Sequence, residues 1–237
     1  MLWLLTLIAP AFSKTANVKE FVHSAQLFAT KCDSAAEDKI WNCGNELDKM
    51  GVFSQSGVQR LSIAELKSRN QTYFIQMCEA YNRYNKCLSS PTMKHFCYQM
   101  EPMKSRVAVV DAALEYVCGA AYEDMIANWA CYLRAATSDE LSRCEISFVQ
   151  LVKHQETMYN EYPIGAGACF ALQTYTDCIR PSIADLCGKD AFTHVLEAIE
   201  RPVHVYLPQC ALNGSTMAHK YTSLIISLIF FVFVKLL

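Results

Sequence analysis

No G-x-S-x-G elbow, no P-loop and no G-x-G-x-x-G occurs in this chain, which removes the common signatures of a serine nucleophile, a bound nucleotide phosphate or a dinucleotide. No two cysteines form C-x-x-C, and the six histidines, at 23, 95, 154, 194, 204 and 219, form no H-E-x-x-H. Zinc ligands usually come in such close pairs, so no metal is expected. A basic excess is missing too: 21 Lys and Arg stand against 23 Asp and Glu. Without a positive field, nucleic acid is not an expected partner. Sustained period-two alternation is absent, which argues against half-buried strands. We read no enzyme and no cofactor in these residues.

Twelve cysteines are what the chain has instead: Cys32, Cys43, Cys78, Cys87, Cys97, Cys118, Cys131, Cys144, Cys169, Cys178, Cys187 and Cys210. An even set in a secreted chain reads as a disulfide framework, here of up to six bridges. A full set of bridges also leaves no thiolate to act as a nucleophile. The pairing is not legible, because twelve cysteines allow roughly 10⁴ connectivities.

Both ends agree with secretion. Residues 1–13, MLWLLTLIAPAFS, form a short uncharged apolar run closing on small residues at Ala11 and Ser13, the pattern of a signal peptide cut after Ser13. At the other end Asn213, Gly214 and Ser215 precede a polar spacer and an apolar run from Leu224 to Leu237. Small triplet, spacer and hydrophobic tail make a glycosylphosphatidylinositol signal, with Asn213 the expected attachment residue and 214–237 removed. The rival is a transmembrane helix, for which about 14 residues are few and Lys235 is ill placed. Loss of Lys220 and Lys235 with the tail takes the net charge from −2 to −4. Asn70-Gln71-Thr72 is a sequon for N-glycosylation.

The cysteine gaps recur. The first six follow x10, x34, x8, x9, x20 and the last six x12, x24, x8, x8, x22. CEAYNRYNKC (78–87) and CFALQTYTDC (169–178) both place Tyr six residues after the first Cys, at Tyr84 and Tyr175. We expect two related six-cysteine helical modules, 14–118 and 119–213. One domain whose helical hairpins share a spacing is the alternative.

The periodicity is helical. Met103, Val107, Val110, Leu114 and Val117 share a stripe; so do Leu66, Tyr73, Met77, Tyr81 and Tyr84, while Ile146, Val149, Leu151, Val152 and Met158 fall mostly on one face. Ser62-x-x-Glu65 and Thr137-x-x-Glu140 fit the capping box. Pro202 should end or kink a helix begun near Asp190. His194 and His204, flanking that helix, read as surface residues. Asp33, Glu37 and Asp38 read as a solvated face, and Gly165-Ala166-Gly167 as a loop. The expectation is an all-α, disulfide-rich helical bundle. Cysteines nine or ten apart, as at 78, 87 and 97, should sit at opposite ends of short helices and bridge to different neighbours. The many tyrosines read as packing against the bridges; an exposed stripe of them would mark a partner surface.

The C-x8-C-x8/9-C triplet with its internal Tyr, the stretch CIRPSIADLCGKDAF (178–192) and the YVC…ACYL stretch (116–133) resemble a cysteine-rich extracellular domain of unknown function common in nematodes. The cysteine-rich domain of nematode chondroitin proteoglycans is a rival resemblance over the same span. The resemblance implies secretion, disulfide-bonded cysteines and no known catalysis. Ser56-Gly57 is the one Ser-Gly pair and has no acidic neighbour, which weakens the proteoglycan reading. The function expected is a cell-surface binding, adhesion or co-receptor module held by a lipid anchor and facing an extracellular protein partner. Its alternative is a secreted or single-pass membrane enzyme or matrix protein.

Overall fold

The computed structural model describes residues 32–54, 69–89, 91–157 and 166–212. Among them the regular structure is helical and no strand occurs. The elements are α1 (Ser34–Lys49), α2 (Gln71–Leu88), α3 (Pro91–Cys97), α4 (Val109–Val117), α5 (Tyr122–Ala127), α6 (Trp129–Ala136), α7 (Asp139–Thr157), α8 (Ala166–Cys187) and α9 (Lys189–Tyr206). A π-helical turn, Lys104–Ala108, leads into α4. The chain is thus all-α and disulfide-rich, as its patterning predicts. The expectations that fall on residues 1–13, Ser56, Gly57, Ser62, Glu65, Leu66, Met158 and 213–237, Asn213 among them, lie outside the described residues.

Short polar side chains set where the helices begin. Asp33 holds extended backbone and its Oδ1 accepts from Ala36 N at 2.8 Å. Asn70 does the same for α2, accepting from Tyr73 N at 3.0 Å. Each satisfies an amide that the first turn leaves free. The cap of α7 is Ser138, whose Oγ accepts from Leu141 N at 3.2 Å, and not the expected Thr137. The Thr137 hydroxyl turns back to the carbonyls of Leu133 and Arg134 at the end of α6.

The first core layer lies between α1 and α2. Ile40, Leu47 and Phe53 meet Tyr73, Phe74, Met77, Tyr81 and Tyr84, all buried. Burying one such side chain contributes about 1.5–3 kcal/mol. Gly44 makes the contact possible: a Cβ there would stand 2.8 Å from the Phe53 ring. Met103, Val107, Leu114 and Val117 are buried as expected, with Val110 at the margin. The reading of α7 needs correction. Ile146 is 58 % exposed, and the buried face runs through Leu141, Cys144 and Phe148. Cys144, as apolar as its neighbours on this face, sets the phase of the stripe.

The two prolines also differ from expectation. α9 starts at Lys189 and runs past Pro202 to Tyr206, because only the last turn follows the missing donor. His194 and His204 therefore lie within α9, not beside it; His204 is exposed and His194 half-buried. α8 likewise continues through Pro181. Ala166 and Gly167 belong to the first turn of α8 rather than to a loop.

All twelve cysteines are paired. The bridges are Cys32–Cys97, Cys43–Cys87 and Cys78–Cys118, then Cys131–Cys187, Cys144–Cys178 and Cys169–Cys210. Their Cα separations run from 4.8 to 5.8 Å, the span that unstrained bridges need. Within each set of six, the order is first to fifth, second to fourth, third to sixth. No bridge joins the two sets. Cys78, Cys87 and Cys97 do reach different neighbours, but Cys78 and Cys87 share one helix of 18 residues. Cys169, Cys178 and Cys187 all lie on α8. Six bridges mark an extracellular or secreted protein, since reducing compartments do not preserve such a set.

Candidate functional site

The site residues read from the cysteine pattern are the scaffold itself. α1 and α2 are clamped by Cys43–Cys87, and α7 and α8 by Cys144–Cys178. The bridges hold three other features in place.

A buried polar cluster occupies the first half. Lys94, on α3, sets Nζ 2.6 Å from Asp111 Oδ1 on α4. The same ammonium lies over the rings of Tyr81, Tyr84 and Tyr98 at 5.3, 5.1 and 5.8 Å. Tyr84 and Tyr98 share a hydrogen bond between hydroxyls at 2.6 Å. Removal from water raises the Asp111 carboxyl above its ordinary value, and Lys94 draws it back only in part. Burial likewise raises the Tyr81, Tyr84 and Tyr98 hydroxyls, with the Asp111 charge adding. These phenols stay protonated and act as donors, acceptors and ring faces, not as nucleophiles. The cage is filled by its own lysine, so its chemistry is internal: three aromatic faces and a carboxylate hold one cation. An acid among the apolar positions of α4 was the one sequence sign of it.

The second feature lies where the halves meet. Phe74 stacks on Tyr122 at 5.9 Å and tilts against Trp129 at 5.0 Å. Tyr116 OH is 2.7 Å from His194 Nδ1, and His194 Nε2 is 3.4 Å from Asp124 Oδ2. With the proton on Nε2, facing the carboxylate, Nδ1 accepts from Tyr116. Arg201 covers the Tyr116 ring at 4.6 Å and pairs with Glu197 at 2.9 Å. Burial, then the Glu197 charge, raises the Tyr116 hydroxyl, which therefore serves as a tie between α4 and α9. His194, expected at the surface, is a junction residue. No sequence signal joins Tyr116 to a histidine 78 positions away.

The third feature is the outside. Tyr73, Tyr81, Tyr84, Tyr132 and Tyr175 are buried, as the packing reading had it, so these tyrosines form no exposed stripe. Among the described residues, the large apolar side chains left in water are Met100, Ile146, Phe170 and Leu186, at 43, 58, 55 and 48 % exposure. Three of these four belong to the second half.

Asn70 is exposed at the N-terminus of α2. Among the described residues no three His, Cys, Asp or Glu side chains are grouped to hold a metal ion, and no helix is long and apolar enough to cross a membrane. Comparison with protein-family models, with curated proteins and with solved structures finds no match.

Proposed function

We propose that this extracellular protein is a cell-surface binding or co-receptor module, tethered by a glycosylphosphatidylinositol anchor at Asn213. The observation that carries the binding reading is the scaffold: helices fixed by two closed sets of three bridges, with Ile146, Phe170 and Leu186 turned to solvent. A rigid surface holding apolar side chains in place loses little freedom on docking, and that favours recognition of a protein partner. The tether rests on the tail sequence from Asn213 to Leu237. The proposal also takes the halves as two copies of one six-cysteine module; the shared pairing order supports that, and the resemblance to nematode-type cysteine-rich domains belongs to the same reading. An anchored module has no cytoplasmic part, so any signal must pass through a transmembrane co-receptor.

The test is release. Full-length protein on animal cells is treated with phosphatidylinositol-specific phospholipase C. Appearance in the medium, with a C-terminal peptide ending at Asn213, is the expected result. Retention with residues 214–237 still attached would replace the anchor by a membrane-spanning tail. Recovery from untreated medium would make the protein a secreted or matrix component.

A further inference from the structure

The side chain of Asn70 does two separable jobs. Its Oδ1 caps α2 by accepting from Tyr73 N at 3.0 Å. An asparagine amide carries one carbonyl and two N–H donors, and among the described residues Nδ2 donates to nothing. Asn70, Gln71 and Thr72 are all exposed. Asn70 itself sits in extended backbone, φ −84° and ψ 175°, just ahead of the first helical residue. Substitution at Nδ2 keeps the group an amide, so the carbonyl still accepts from Tyr73 and the helix keeps its start.

We propose that Asn70 carries an N-linked glycan on Nδ2 while its Oδ1 caps α2. The proposal rests on passage through the secretory route, which the six bridges require, and not on the lipid anchor. The donor is an oligosaccharide on a membrane-lipid diphosphate. The bond from the anomeric carbon of its first sugar to the phosphate oxygen breaks. A bond from that carbon to Asn70 Nδ2 forms, the nitrogen loses one proton, and the lipid diphosphate leaves. Nothing is oxidised or reduced. The hydroxyl of Thr72 completes the sequon. The glycan then stands at the end of α2 where Gln71 donates to the Ile126 carbonyl of the second half at 3.1 Å, and it covers that corner of the junction with hydrophilic bulk.

Full-length protein from animal cells is digested with peptide N-glycosidase F, and the tryptic peptide 70–83 is read by mass spectrometry. The expected result is a loss of apparent mass, with Asn70 converted to Asp. Thr72→Ser keeps the mass shift and Thr72→Ala abolishes it. Asn70→Asp abolishes it too, but melts with the unglycosylated Thr72→Ala protein, because Asp also caps, whereas Asn70→Ala melts lower. Recovery of peptide 70–83 with Asn70 wholly unmodified, from protein whose cysteines are oxidised, overturns the proposal. The extracellular reading and the anchor survive that outcome.

Discussion

The halves share a bridge pattern and solve the space inside it differently. Counted back from the fifth cysteine of each set, Pro91 and Pro181 coincide, and Lys94 falls opposite Ala184. One residue after that cysteine, Tyr98 falls opposite Gly188. The first half therefore packs a cation and a second phenol, Lys94 and Tyr98, where the second has a methyl group and a bare backbone. Tyr84 and Tyr175 hold equivalent places, yet only Tyr84 has a partner; the Tyr175 hydroxyl is buried with none among the described residues. The backbone differs as well. The first half has one residue more between its fourth and fifth cysteines. Ser89 takes a left-handed conformation at φ 54° and ends α2, so Pro91 opens a new helix. The second half lacks the extra residue, and α8 runs unbroken through Pro181. Bridge order fixes the arrangement of the helices; it does not fix whether the interior is polar or where a helix breaks.

That comparison can be broken most forcefully at the third-to-sixth bridges. They close spans of 40 and 41 residues. Replacing both cysteines of either one with Ala should cost about 4 kcal/mol by the chain-entropy relation, equally in the two halves. Urea unfolding without reductant measures it, and a loss confined to one half would show that the sets are not equivalent.

Next in size is the ion pair. Lys94→Met leaves the Asp111 carboxylate buried without its counter-charge and should cost about 3 kcal/mol. Lys94→Met with Asp111→Val, an apolar interior of the kind the second half uses, should recover most of that. The carboxyl of Asp111 is raised by burial, so the unfolded chain ionises it first as pH climbs. Stability should then fall from the unfolded value near 3.8 up to the folded one and level off above it. Asp111→Asn should remove that limb, as seen in thermal midpoints across acidic pH.

The prolines come third. Pro181 denies Asp177 its helical donor, so Pro181→Ala should stabilise by about 2 kcal/mol. Pro91→Ala, at a first helical position where no donor is lost, should cost about 0.5 kcal/mol through a freer unfolded chain. Paired denaturation curves would show opposite signs. Smallest are the hydroxyls. Tyr84→Phe should cost about 1 kcal/mol by removing its hydrogen bond to Tyr98, whereas Tyr175→Phe should be neutral or stabilising.

Much of the architecture was legible because its causes are local. Apolar positions three and four apart marked the α2 and α4 faces, and an even cysteine count marked the bridges. Errors came where two local signals competed. Thr137 and Ser138 both offer a hydroxyl, and only the end of α6, which claims Thr137, decides between them. Ile146 was misplaced because the α7 stripe is phased by Cys144. Lys94 with Asp111, and Tyr116 with His194, were not legible as pairs: they meet across 17 and 78 residues, through packing that no spacing rule encodes. The exposed side chains Ile146, Phe170 and Leu186 became visible only once the buried faces were known.

The absence of any bridge between the two sets bears on how the chain is made. Synthesis delivers Cys118 before Cys131, so every thiol of the first set is in the oxidising lumen before the first thiol of the second arrives. A search over roughly 10⁴ pairings becomes two successive searches over 15. The order of synthesis thus favours pairing within a set over pairing between the sets.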